Sequence, residues 1–122
     1  MILFDKDGAW NWVDKNNVVL GFRNEPDCCE IFGYKYYTKP PTNMEEFYSF
    51  DYTEDEVLDD FNFDTTYFEQ FPDYDGGSNV ITKIVSGDKT LYLVIYNHHN
   101  GYYTHGWTFS DPRTNKNEGG RL

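Results

Sequence analysis

Lysine and arginine are missing from the 43 residues between Lys39 and Lys83. That stretch carries twelve acids: Glu45, Glu46, Asp51, Glu54, Asp55, Glu56, Asp59, Asp60, Asp64, Glu69, Asp73 and Asp75. The rest of the chain holds nine acids and ten bases, and the formal net charge is −11. So few bases argue against direct nucleic-acid binding through phosphate neutralisation, and against docking on anionic lipid. Long apolar runs are absent too, so no segment is expected to span a membrane. The opening Met1-Ile2-Leu3-Phe4-Asp5 lacks the basic start and extended apolar stretch of a secretory leader, and a cytoplasmic location is expected. Cysteine is limited to the adjacent Cys28 and Cys29, which cannot bridge distant parts of the chain. A disulfide framework is excluded, in keeping with a reducing compartment. Alanine, the best helix former, occurs once, at Ala9.

Aromatic residues are abundant: 24 of them, against 18 Leu, Ile and Val together. Aromatic and β-branched side chains suit a pleated, half-buried surface, and ten glycines supply turn chemistry. At 122 residues the chain has the size of one domain. The expected fold is α+β and β-rich: a single antiparallel sheet of about five or six strands with one short helix on an acidic insertion. Residues 1–110 are expected to form the globular domain, with the acidic aromatic segment at 40–82 and a flexible tail at 111–122, where no periodicity is present.

Local patterns place the elements. Trp10–Val13 and Val18–Phe22 flank Asp14-Lys15-Asn16-Asn17 as a hairpin. Residues 28–37 read as a strand with Gly33 at a bulge or bend, ended by Pro40-Pro41. Thr53 followed by Glu56 is a capping-box pattern for a helix over 54–60, and Thr42 with Glu45 is a weaker one for a turn near Met44–Phe47. The last third predicts a three-stranded meander, Asn79–Val85, Thr90–Asn97 and Tyr102–Phe109. A three-residue loop ending at Gly101 gives its second hairpin one coherent apolar face.

Two islands, Asp27-Cys28-Cys29-Glu30 and Asn100-Gly101-Tyr102-Tyr103, resemble a family of small phage and bacterial proteins classed as a domain of unknown function. That family carries an Asp-Cys-Cys-Glu-like motif early and Asn-Gly-Tyr-Tyr in a late hairpin. Serine commonly precedes the Asn and follows the second Tyr there, where this chain has His99 and Thr104. The resemblance implies a phage or mobile-element origin and no particular reaction.

Several constellations bear on chemistry. His98, His99 and His105 cluster near one hairpin end, and Cys28 or Cys29 could join them on a transition metal. No familiar ligand spacing is present, so no metal and no cofactor is expected. A Cys–His nucleophile needs a lowered thiol pKa, and the flanking Asp27 and Glu30 act the other way. Asp73-Tyr74-Asp75-Gly76 begins like a calcium loop, but the twelfth position is Ile84. No catalytic residue is assigned, and an enzyme is not expected.

The segment 40–82 holds ten aromatics among its acids, and this supports two readings. In one, the aromatics pack and the acids only solvate the outer face. In the other, a rigid carboxylate array imitates nucleic-acid phosphates and occupies a basic groove on another protein, with Tyr and Phe as anchors. The expected function follows the second reading: a non-enzymatic acidic protein-binding module, a phage-encoded inhibitor of a host nucleic-acid-handling or defence protein. Its partner would be a basic surface of that host protein, met in the host cytoplasm by Glu45, Glu46, Glu54, Asp55, Glu56, Asp59, Asp60 and Asp64. The alternative is a small metal- or ligand-binding protein centred on the 98–105 hairpin, with Cys28, Cys29, Asn100, Tyr102, Tyr103 and His105 as its site.

Overall fold

Alternation along the strands decides the architecture, because several are apolar on both faces and need a cover on each. The computed structural model describes residues 2–24, 31–54, 60–72, 77–98, 105–114 and 116–122. Among the described residues, ten strands form two five-stranded antiparallel sheets. The first contains β1 (Ile2–Lys6), β2 (Ala9–Val13), β3 (Val19–Arg23), β9 (Gly106–Asp111) and β10 (Lys116–Arg121), in that spatial order. The second runs β5 (Tyr52–Thr53), β4 (Ile31–Tyr37), β8 (Lys89–His98), β7 (Ser78–Ser86), β6 (Asn62–Pro72). A six-residue helix, α1 (Met44–Ser49), completes the described elements. The fold is β-rich with one short helix, as expected, but the expected single sheet is two.

The main core lies between the sheets. Trp12, Leu20, Phe22, Trp107 and Phe109 from the first meet Tyr36, Phe63, Val80, Ile84, Leu91, Leu93 and Ile95 from the second. A second cluster covers the far face of the second sheet, where Tyr37, Phe71, Ile81, Val94 and Tyr96 pack with Met44 and Phe47 of α1. Strand β8 explains why both covers exist: Leu91, Leu93 and Ile95 point one way, Val94 and Tyr96 the other. A single sheet would leave one of those faces in water.

Polar groups also pin the sheets together. Asp14, buried in the β2–β3 turn, accepts backbone N–H bonds from Asn16 at 2.8 Å and Val18 at 2.9 Å through Oδ1. Its Oδ2 accepts from the backbone N–H of Phe63 in β6 at 2.9 Å. The indole Nε1 of Trp12 donates to the Tyr36 hydroxyl at 2.9 Å across the core.

The β2–β3 hairpin forms around Asp14–Asn17 as expected, with Val13 opposite Val19. So does the β7–β8 hairpin, with Ser86 opposite Lys89. Three expectations change. The expected third strand, Tyr102–Phe109, lies outside the described residues up to Thr104. Its described part does not continue the meander: β9 pairs with β3 and β10 in the other sheet, so the chain crosses over between β8 and β9. Gly33 sits in an unbroken register from Ile31 opposite His98 to Tyr37 opposite Tyr92, with no bulge. Its missing side chain makes room for Tyr96, whose hydroxyl lies 2.9 Å from where a Cβ would stand. Finally, beyond Asp111 the chain forms β10, and Leu122 is buried in the core. Leu122 N–H donates to His105 O at 2.9 Å, and its carbonyl accepts from Asn97 Nδ2 at 3.2 Å. Glycine-rich and aperiodic, this stretch gives no strand pattern, and the edge of β9 supplies the template for it.

Candidate functional site

The acidic segment is no insertion: it supplies α1, β5 and β6, and so belongs to the second sheet and its cover. Helix α1 starts at Met44, where the Thr42–Glu45 pattern places a turn, but the capping residue is one position on from Thr42. Asn43 is the N-cap, its Oδ1 accepting the Glu46 N–H at 2.9 Å. The Glu46 carboxylate reaches back to the Thr42 N–H at 2.9 Å and to the Thr42 hydroxyl. Those bonds hold the Glu46 carboxyl below its usual range, the hydroxyl contributing most. Glu45 and Glu46 occupy the first turn, where the helix dipole favours negative charge.

Burying Met44 and Phe47 turns Tyr48 outward, 62% exposed, and the chain then passes through Asp51 into β5, where Tyr52 is 47% exposed and Glu54 is also exposed. Glu45, Asp51 and Glu54 thus stand with two tyrosines on one consecutive helix–strand unit. The positive charge nearest this unit is largely withdrawn from solvent. Lys35 of β4 is 8% exposed, with its Nζ over the rings of Tyr52 at 4.0 Å, Phe47 at 4.4 Å and Tyr96 at 5.5 Å. Burial lowers the pKa of its amine, and the charge of Glu54 opposes that shift. Burial likewise pushes the Tyr96 phenol up to about 12, with Glu54, Tyr52 and Tyr48 adding to it. Two other bases are near: Lys39 lies over Phe50 at 4.9 Å, and Lys89 of β8 lines a hollow with Asp51, Tyr52 and Thr53.

The remaining acids are elsewhere. Strands β5 and β6 occupy opposite edges of the second sheet, so Asp60 and Asp64 are separated from β5 by the width of that sheet, while α1 packs with Phe71 at the other end of β6. Both are paired: Asp60 forms an ion pair with Lys15, and Asp64 lies 3.9 Å from Lys83. Asp64 sits where the β6–β7 register shifts between Phe63 and Phe68, and it accepts the Thr66 N–H at 3.0 Å and hydroxyl at 2.6 Å. These bonds, chiefly that from the hydroxyl, lower its pKa. Asp55, Glu56 and Asp59, and with them the expected helix over 54–60, lie outside the described residues. The ten-aromatic content of the segment is mostly structural: Phe61 and Phe63 join the main core, and Phe47 and Phe71 the second cluster.

The alternative site can be placed only at its edges, because Cys28, Cys29, Asn100, Tyr102 and Tyr103 lie outside the described residues, as does His99. His105 is buried, stacked on Phe32 at 4.3 Å, with Nδ1 donating to the Arg23 carbonyl at 2.7 Å. His98 is on the other face of its sheet, with Nε2 donating to Asn79 Oδ1 at 3.2 Å. Among the described residues no group of three His, Cys, Asp or Glu side chains could hold a metal ion. Nor, among them, is any helix long and apolar enough to cross a membrane.

Sequence reading missed Lys35 and Tyr96, and took the Tyr and Phe of the acidic segment together as anchors without singling out Tyr48 and Tyr52. One signal was present: Lys35 is the lone base in Phe32-Gly33-Tyr34-Lys35-Tyr36-Tyr37, and a charge inside so aromatic a strand needs a partner or a π face. No family model matches this chain, no curated protein matches it, and no solved structure matches it.

Proposed function

We propose that this protein is a non-enzymatic acidic protein-binding module. Its α1–β5 unit docks on a basic surface of another protein, in the manner of a nucleic-acid mimic. The observation that carries this reading is the pairing of the exposed Tyr48 and Tyr52 with Glu45, Asp51 and Glu54, while Lys35 is sequestered under aromatic rings. Exposed tyrosines on a firm element offer anchoring area at low entropic cost, and exposed carboxylates accelerate encounter with a cationic groove. Asp60 and Asp64, already paired and across the sheet, are peripheral to the contact. The partner class we propose is a host nucleic-acid-handling or defence protein inhibited in the cytoplasm by a phage-encoded chain, in line with the Asp27–Glu30 and Asn100–Tyr103 islands.

The test is affinity capture from a bacterial lysate with the wild-type chain and three variants run in parallel. Glu45→Lys with Asp51→Lys is expected to lose the captured protein, and Tyr48→Ala to weaken its retention. Asp64→Lys is expected to keep it. Raising the salt from 50 to 200 mM, roughly halving the screening length, is expected to release it. A captured protein retained equally by all variants and at both salt concentrations overturns the proposal.

A further inference from the structure

Where β2 of the first sheet meets β4 of the second, the edge of the sandwich holds a cavity of about 240 Å³. It opens to solvent, and its described lining is Trp10, Phe32, Gly33, Tyr34, Glu54 and Tyr96. The rings form a corner rather than a stack: Trp10 and Tyr34 cross at 81° with centroids 5.0 Å apart, and Phe32 stands 5.7 Å from Trp10. Tyr96 reaches this edge from the opposite face of the sheet because Gly33, its partner across the ladder, has no side chain in the way. Among the described residues, β5 pairs with Tyr36 and Tyr37 and stops short of Phe32–Tyr34. Among the described lining residues Glu54 is the single carboxylate, and there is no lysine or arginine.

The adjacent box indicates which ligand this chemistry takes. Tyr96 belongs to both: on one side its ring helps hold the Lys35 ammonium, with Phe47 and Tyr52. On the other side it walls the open cavity. Glu54 faces both as well, since its charge acts on Lys35 and its side chain lines the cavity. We infer that the Trp10–Phe32–Tyr34–Tyr96 cavity binds an alkylammonium group, its cationic head held against the aromatic rings and balanced by Glu54. Ring quadrupoles attract a cation, more strongly once it is desolvated, and quaternary ammonium is the form that sheds water most readily. The volume lies below the ~300–1,000 Å³ of sites for drug-sized ligands, so it suits a headgroup or one side chain. The inference shares Glu54 with the docking face proposed above, but Trp10, Phe32, Tyr34 and Tyr96 are no part of that face, so choline binding and capture of a protein partner can fail separately.

The probe is choline chloride, titrated into the full chain at constant ionic strength while the Trp10 indole and the Phe32 and Tyr96 amide signals are followed by NMR. The control is 3,3-dimethyl-1-butanol, which keeps the shape of choline and lacks its charge. Choline is expected to move these signals saturably, and the neutral isostere to bind roughly tenfold more weakly or worse. Glu54→Gln, at an exposed position, is expected to fold normally and to weaken choline binding by about threefold or more. Trp10→Phe is expected to weaken it too, since indole is the strongest cation–π partner. Nα-acetyl-Nε-trimethyl-lysine amide separates the sources: tighter binding than choline assigns the cavity to a protein side chain, and weaker binding assigns it to a free small molecule. Equal affinity for choline and its neutral isostere, or no saturable shift with choline, overturns the inference.

Discussion

The outer faces of the two sheets make opposite use of the same architecture. On the first sheet, Ala9, Asn11, Gly21, Gly106 and Thr108 floor a shallow trough of about 360 Å³, flanked by Arg23 and Arg121 and covered by no described element. On the second, Tyr37, Phe71, Ile81, Val94 and Tyr96 lie beneath α1 and pack on Met44 and Phe47. Small and polar residues leave a face that water can cover, whereas large apolar ones require another element. A six-residue helix has too few hydrogen bonds to form alone, so α1 owes its existence to the face it covers. The acidic aromatic face is therefore a by-product of packing: once Phe47 is buried, Tyr48 and Glu45 must face outward.

The largest test of this contrast is truncation on each outer face in turn. Phe47→Ala is expected to cost about 3–5 kcal/mol in urea unfolding, because a fully buried aromatic leaves a cavity under the helix. Thr108→Ala, on the uncovered face, is expected to stay within about 0.5 kcal/mol. Similar losses at the two positions would mean that the faces do not differ as described.

A somewhat smaller effect is expected at the joint the two sheets share. Asp14→Ala leaves three backbone N–H groups without their acceptor, two in the β2–β3 turn and one on β6, at a cost of roughly 3 kcal/mol. Asp14→Asn keeps one oxygen and should lose less. Hydrogen exchange sharpens the point: the Phe63 amide should lose protection in Asp14→Ala well before the amides of β7 and β8 do. Uniform loss of protection would show that Asp14 is not a local pin.

The smallest effect concerns the cap of α1. The Glu46 carboxyl is held below its usual value of 4.5 in the folded chain, so it contributes stability above that pH and loses it as the pH falls through the folded value. Glu46→Gln is expected to unfold at a slightly lower urea concentration than wild type at pH 7. The gap should narrow as the pH falls below 4.5 and close once the pH lies below the folded value. A gap that persists unchanged at pH 3 would assign the difference to side-chain shape instead of charge.

Much of the strand inventory is legible in the residues. Trp10–Val13 and Val18–Phe22 announce their hairpin by composition and by the Asp14–Asn17 turn, and Asn79–Asn97 does so through Gly87-Asp88. What misleads is pairing over distance. The run Tyr102–Phe109 alternates well enough to sit beside β8, yet its described strand portion, from Gly106 on, joins β3, because nothing local distinguishes one apolar partner face from another. Edge strands such as β10 and β5 are short or glycine-rich, and their order is imposed by the ladder they extend. The candidate face shows the same division. The carboxylates are obvious from the missing bases, but which of them share a surface depends on β5 and β6 lying at opposite edges. The aromatic cavity draws on Trp10, Phe32 and Tyr96, which are far apart in the chain.

By itself the sequence determined that this protein is strand-rich, that its middle third is acidic and base-free, and that two hairpins close where turn residues demand it. Those properties are local or additive, set by side-chain shape, charge and backbone preference. Only the tertiary structure decided that there are two sheets, which acids stand together, and which rings form a corner around open space. Such outcomes depend on burying both faces of one central strand at once, a requirement that no short stretch of residues expresses.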